Sequence, residues 1–290
     1  SLYIYSLSLL EKILSFHLSI RGSPSLWTLL LLLVLYTSPF FHRKILFEGL
    51  ILLLLLSPLN HPFSHVSFLD VGQGDSAMIR NRIGYSCILI DTGSPYNYAK
   101  LKSYLFEKGI YRIDHLIITH DDSDHNGNID RLKKDFKVMD IIEKGQDFNY
   151  HGLSFKYLYA GDYDNDNDNS LIYSLNICDL SFLFTGDISA QAERELIRRY
   201  KITDIDVLKV SHHGSNSASS EDFIAEILPE YSIISTSGMY NHPHKQVLDT
   251  LQKYQSRIYI TKNDGTISFH PGRLFSFLTT AKNEFVIMRT

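Results

Sequence analysis

His120-Asp121-Asp122-Ser123-Asp124-His125 is the stretch on which the reading of this chain turns. It follows the apolar run Leu116-Ile117-Ile118-Thr119, and Asn126-Gly127 after it opens a helix-like segment. Two imidazoles and two carboxylates, from His120, Asp122, Asp124 and His125, therefore meet at one strand-to-helix turn. A turn that only caps a helix needs a single Asp or Ser. Imidazole and carboxylate together suit divalent transition metals, and closely spaced ligands can serve two ions. The spacing points to a metal centre.

Outward from this turn the pattern alternates. Strand-like runs lie at 66–70, 77–80, 87–91 and 115–119, and later at 171–177, 181–185, 207–210, 232–235, 257–261 and 266–269. Helical patterning at 98–108, 127–134, 190–199, 221–228 and 246–253 separates many of them. Hairpins first and β-α alternation later predict a layered α/β domain. The polar run 162–169 reads as a solvated loop, lacking the glycine and terminal glutamate of an EF-hand. Cys87 and Cys178 sit in apolar runs and are expected as buried thiols. His65, His115, His151 and His270 each stand without a second ligand and read as structural or surface residues.

The first sixty residues differ. Two Leu-rich runs, 26–41 and 45–59, carry at most one charge each and have no polar face. Each falls short of the ~20 residues of a full span. They are read as a membrane hairpin with His42-Arg43-Lys44 in its turn, and 2–20 as a further membrane or interfacial helix. The positive turn places itself in the cytoplasm and the later domain outside the cytoplasmic membrane. Leu59-Asn60-His61-Pro62 marks the boundary, giving terminal membrane helices over 1–60 and a hydrolase domain over 61–290. A chain opening on Ser1 is read as the C-terminal part of something longer. Residues up to 60 carry a balance of +2 within a chain of net charge −4, which leaves −6 for the remainder. That excess argues against polyanion binding through a broad basic surface.

Other motifs fall at strand ends: Asp91-Thr92-Gly93, Thr185-Gly186-Asp187, His212-His213-Gly214-Ser215 and His242-Pro243. Together with His-x-Asp-x-Asp-His, this ordered set resembles the metallo-β-lactamase superfamily, whose signature is His-x-His-x-Asp-His. The resemblance covers roughly 66–290 and implies an αββα sandwich with metals at one edge. Within the superfamily the chain resembles the ComEC family of competence DNA-uptake proteins. That likeness rests on Leu69-Asp70-Val71-Gly72-Gln73-Gly74-Asp75-Ser76, Val210-Ser211-His212-His213-Gly214-Ser215 and Gly238-x-x-Asn241-His242-Pro243, with an apolar multi-helix segment before the domain.

From motif order and resemblance, His120 and Asp122 are expected to hold one ion, Asp124, His125 and His242 a second, with Asp187 bridging. The resemblance implies that His212 and His213 contact phosphate or protonate a leaving group, although either remains an alternative to His242 as ligand. Asp75, Asp91, Asn169 and Ser170 are expected behind the metal ligands. Asn169-Ser170 stands where the superfamily has a further histidine. With Asp122 also replacing a histidine, the first ion loses two imidazoles and gains oxygen. Harder donors favour Mn²⁺ or Mg²⁺ over Zn²⁺, the alternative being that one site is weak or empty. Phosphate contacts are expected from Asn241 and from a local patch including Arg80, Arg82, Lys209, Lys245 and Lys262.

The resulting expectation is a membrane-tethered, two-metal nuclease that hydrolyses DNA during transformation, with DNA, the membrane and other DNA-uptake proteins as partners. Two alternatives stay open. One is a phosphodiesterase for small or lipid-linked substrates; the other is a non-catalytic scaffold or gate of a DNA channel.

Overall fold

The computed structural model describes residues 64–81, 87–272, 276–282 and 284–288. The expected membrane hairpin, the terminal domain over 1–60 and Arg82 lie outside the described residues. Among those described, no helix is long and apolar enough to cross a membrane.

In chain order the first half comprises β1 (His65–Phe68), β2 (Ala77–Arg80), β3 (Ile88–Ile90), α1 (Tyr98–Glu107), β4 (Arg112–Ile113) and β5 (His115–Ile117). The short helices α2 (Ser123–Asn126) and α3 (Ile129–Asp135) follow, then β6 (Lys137–Val138) and β7 (Ile141–Ile142). The second half has β8 (Phe148–Tyr150), β9 (Leu153–Leu158), β10 (Ile172–Ile177), β11 (Leu180–Phe184), α4 (Ala190–Arg199), β12 (Val207–Lys209), α5 (Glu221–Ile227), β13 (Tyr231–Ile234), α6 (Lys245–Lys253), β14 (Arg257–Ile260) and α7 (Thr261–Asp264). Strands β15 (Ile267–His270), β16 (Ser276–Thr280) and β17 (Phe285–Met288) return to the first sheet.

Two sheets stack face to face. One has the order β17-β16-β15-β1-β2-β3-β5-β7, the other β14-β13-β12-β11-β10-β9-β8. Alternate residues of both sheets form the central core, in which Phe68 stacks on Phe184 at 5.7 Å and Phe182 meets Phe269 edge-on at 5.8 Å. The outer face of the second sheet packs against α4, α5 and α6 through Leu196, Phe223, Ile227 and Leu251. The outer face of the first packs against α1 and α3 through Leu101, Leu105 and Leu132. This is an αββα sandwich, and its strand pairs switch from antiparallel to parallel at β3–β5 and at β11–β12.

Two local readings change. Cys87 is buried, but Cys178 is exposed, because Cys178-Asp179 is the tight turn of the β10–β11 hairpin and Cys178 takes a positive φ of 53° there. The polar run 162–169 is partly built in. Asp168 is buried and accepts from the Ser189 amide at 2.5 Å, and Asn169 latches Tyr163 through both its amide atoms.

Candidate metal centre

The parallel strands end at one edge, and their loops are woven together by main-chain hydrogen bonds. The Asp75 amide donates to Asp124 O at 3.1 Å, Thr92 N to His125 O at 2.6 Å and Leu171 N to Thr119 O at 2.8 Å. Gly74 carries a φ of 111° and lies so close to Asp124 that a Cβ would overlap its carbonyl oxygen. Glycine is required there by both conformation and contact.

His120, His125, His213 and Asp187 converge inside this weave, all buried. Their donor atoms fall into overlapping groups: His120, His125 and Asp187; Asp124, His125 and His213; Asp75, Asp187 and His213; and Asp75, Asp91 and His125. His125 Nε2 lies 3.4 Å from Asp187 Oδ2, and His213 Nε2 lies 3.3 Å from Asp124 Oδ2 and 3.4 Å from Asp187 Oδ2. The Nε2 atoms of His120, His125 and His213, and Asp187 Oδ1, are buried without a hydrogen-bond partner. An ion with bonds of about 2.1 Å holds tetrahedral ligands about 3.4 Å apart. Orphaned donors at that mutual spacing fit divalent metal, since buried polar groups are otherwise paired.

The other ring nitrogens are spoken for. His125 Nδ1 is 2.8 Å from Asp91 Oδ2. Asp91 itself accepts from Thr119 N and Thr119 Oγ1, each at 2.8 Å, so it orients the imidazole and has little left to offer an ion. His120 Nδ1 is 3.0 Å from Thr119 Oγ1 and 3.3 Å from Ser170 Oγ. Ser170 Oγ also accepts from the Asp187 amide at 3.1 Å. Ser170 thus links the first and second halves of the cluster, whereas Asn169 braces only its own loop. His213 Nδ1 lies 2.9 Å from Ser235 O and 3.4 Å from Asp75 Oδ1.

The charges are mutually stabilised. Burial alone would lower the pKa of His125, but the Asp187 and Asp91 carboxylates outweigh it and hold it well above the ordinary range. Burial opposes the charged form of His213 too, and Asp187 and Asp75 carry it up to about 10. Asp187 is held well below the carboxylate range against its burial by His213 and His125. His120 is lowered by burial and by the nearby His125.

Several expected residues lie elsewhere. His242 is in none of the donor groups. Its ring lies beside that of His213, centroids 6.5 Å apart, its Nδ1 is buried without a hydrogen-bond partner, and burial with the neighbouring His213 and His212 lowers its pKa to about 4. His213 takes the place among the donors. His212 is half-buried, with Nδ1 3.2 Å from Ser217 Oγ. Asp122 is half-exposed and approaches only His120 Nε2, at 3.5 Å. Lys209, expected at substrate, is buried: its ammonium pairs with Asp75 at 2.7 Å and donates to Val210 O at 2.9 Å. Arg80 is buried as well and donates to Lys108 O. Asn241 is exposed, as are Lys245 and Lys262. Sequence reasoning missed Thr119, whose only signal is its position before His120, and Ser235, which has none beyond lying at a strand end.

Comparison with known proteins bears on the fold and the family. The family model "Metallo-beta-lactamase superfamily" matches residues 69–170. The ComE operon protein 3 of Bacillus subtilis is 30% identical over 75% of this chain and 34% of its own length. Recombination protein 2 of Haemophilus influenzae is 33% identical over 76% of this chain and 31% of its own, and competence protein ComA of Neisseria gonorrhoeae 28% over 72% and 32%. The chain spans about a third of the length of these curated relatives. By sequence, the chain is similar to the ComEC-like competence proteins, and it carries a metallo-β-lactamase domain.

Proposed function

We propose that this domain is a divalent-metal-dependent phosphodiesterase that hydrolyses DNA during uptake, tethered at the outer side of the cytoplasmic membrane. The observation that carries the reading is the convergence of three partnerless Nε2 atoms and a partnerless Asp187 oxygen. The names of the relatives, among them a competence protein, support the DNA-uptake setting.

Asp124, His125 and His213 would hold one ion, and His120 with Asp122 a second, Asp187 serving both. The second set is oxygen-rich, which favours Mn²⁺ or Mg²⁺ over Zn²⁺. Such ions supply Lewis acidity and an activated nucleophile at neutral pH. The protein's own part is to hold the donors rigid through Asp91, Thr119, Ser170 and Asp75, and to keep His125 and His213 anchored between carboxylates. His212, half-buried beside His213 and free of the donor groups, is the residue for passing a proton to the leaving oxygen.

The test uses the full chain with Mn²⁺, Mg²⁺ or Zn²⁺ and three substrates: single-stranded DNA, double-stranded DNA and a small phosphodiester. Metal-dependent DNA cleavage that disappears in Asp124→Asn is the expected result. Cleavage of the small ester alone would favour a small-molecule or lipid-linked substrate. Metal binding without turnover of any substrate would favour the scaffold or gate.

A further inference from the structure

A row of rings leads from the buried donors to the surface. His120 and His125 lie 4.1 Å apart between centroids, His125 and His213 5.4 Å, His213 and His242 6.5 Å, and His242 and Tyr240 6.1 Å. At the outer end Tyr240 is 71% exposed, next to Met239 at 51%. The Tyr240 ring is thus presented to solvent at the outer end of a row that starts at the buried donors.

The backbone that presents them is strained. Tyr240 and Asn241 have φ values of 56° and 60° in succession, a conformation that bulky residues rarely adopt. Such strain persists only where surrounding structure enforces it, and it concentrates at ligand sites. The enforcing contacts are visible: Gln73 Oε1 accepts from Thr236 Oγ1 at 3.1 Å, Thr236 Oγ1 accepts from Gly238 N at 3.0 Å, and His242 N donates to Met239 O at 2.9 Å. Gln73 belongs to the same turn as Asp75, so the tyrosine's loop and the support of His213 share one anchor.

A lysine reaches the start of this loop. The Lys262 ammonium lies against Gly238, where a Cβ would collide with it, and Lys262 and Lys245 are both exposed. His244 sits beside His242, centroids 5.2 Å apart. An exposed aromatic face on a loop that also carries lysines can hold an unpaired base by stacking while its phosphates meet the charges. A duplex offers no such free base face.

We propose that Tyr240 is a base-stacking residue, and that the loop 238–244 with Lys245 and Lys262 forms a binding subsite for single-stranded polynucleotide next to the metal centre. This rests on the reading of the domain as a DNA phosphodiesterase and assigns it an unpaired strand.

The test measures binding and cleavage separately in the full chain. Binding of a fluorescein-labelled mixed-sequence oligonucleotide, single-stranded or annealed, is followed by anisotropy without added metal; cleavage is followed with Mn²⁺, Mg²⁺ or Zn²⁺. Tyr240→Ala is expected to weaken single-strand binding about tenfold, the size of one lost base stack. Tyr240→Trp should bind as tightly as the wild type, whereas Tyr240→Leu, with bulk but no ring face, should resemble Tyr240→Ala. The wild type should prefer the single strand over the duplex. Equal binding by wild type, Tyr240→Ala and Tyr240→Leu would overturn the stacking role while leaving the phosphodiesterase reading intact if cleavage persists. Tyr240-dependent binding without cleavage under any of the metals would do the reverse. A preference for duplex overturns the subsite as stated. Because Tyr240 is so exposed, all three variants should melt with the wild type, and a lowered melting temperature in Tyr240→Ala would instead assign the ring a structural role.

Discussion

The two loops that bring imidazoles to the centre are built in opposite ways. The first, around His120 and His125, keeps ordinary backbone geometry: Asp122 is extended and His125 falls in α2. Its braces are mostly a sequence neighbour and the adjacent strand end, Thr119 and Asp91, with Ser170 alone reaching His120 from afar. The second, His212-His213, takes two successive left-handed conformations with φ of 49° and 54°. Its braces are distant in sequence, since Asp75 reaches His213 and is held in turn by Lys209. The first loop announces its function locally. The second acquires its function from tertiary contacts.

The comparison breaks most completely at the residue both loops share. Asp187→Ala removes the carboxylate facing both His125 and His213, and should weaken metal binding by more than about 100-fold, beyond the range for supporting residues. Metal titration by calorimetry is the check, with circular dichroism to show that the fold survives. The next effect falls on the second loop alone. Lys209→Met leaves the buried Asp75 charge to His213 alone, which should lower the denaturant midpoint by up to about 3 kcal/mol, the low end of the cost of breaking a buried pair. The double variant Asp75→Asn with Lys209→Met should recover part of that loss, because no lone charge remains. On the first loop, Asp91→Asn should keep the fold but weaken metal binding about 10–100-fold, through loss of the His125 tautomer and orientation.

A smaller effect separates the protein with and without metal. His213 has its folded pKa raised to about 10 from 6.5. In metal-free protein its contribution to stability is complete below pH 6.5 and is lost as pH rises toward 10. Asp187, held low, contributes above the ordinary carboxylate pKa and loses that contribution in acid. Metal-free chain should therefore melt highest between about pH 4 and 6.5. Metal needs neutral imidazoles, so binding should release protons near neutrality and tighten as pH rises. Melting curves over pH with and without Mn²⁺ should diverge on the alkaline side.

Sequence legibility followed the same division. Alternating apolar runs located β2 and α4 to the residue, because both are bounded by abrupt polarity changes. The hairpin β8–β9 and the terminal strands β16 and β17 were not read; Leu153-Ser154-Phe155-Lys156 in β9 does alternate and buries its apolar members, whereas β17 is an edge strand whose burial does not follow its apolar run. At the site, the dense motif His120 to His125 and the Thr185-Gly186-Asp187 turn could be found by inspection. Choosing among His212, His213 and His242 could not, because the choice depends on which ring the left-handed turn directs toward Asp187. Lys209 misled for a related reason: a lysine at a strand end reads as a phosphate contact, and only the fold reveals the buried Asp75 that claims it.

The central claim is that the buried cluster is a metal centre to which His213, not His242, belongs. It is tested most directly by the metal content of the purified wild-type chain, His213→Ala and His242→Ala after saturation with Mn²⁺ and exhaustive dialysis, measured by plasma mass spectrometry. Metal retained by wild type and by His242→Ala but lost from His213→Ala is the predicted result. Retention by His213→Ala with loss from His242→Ala, or no retained metal in the wild type, would contradict it.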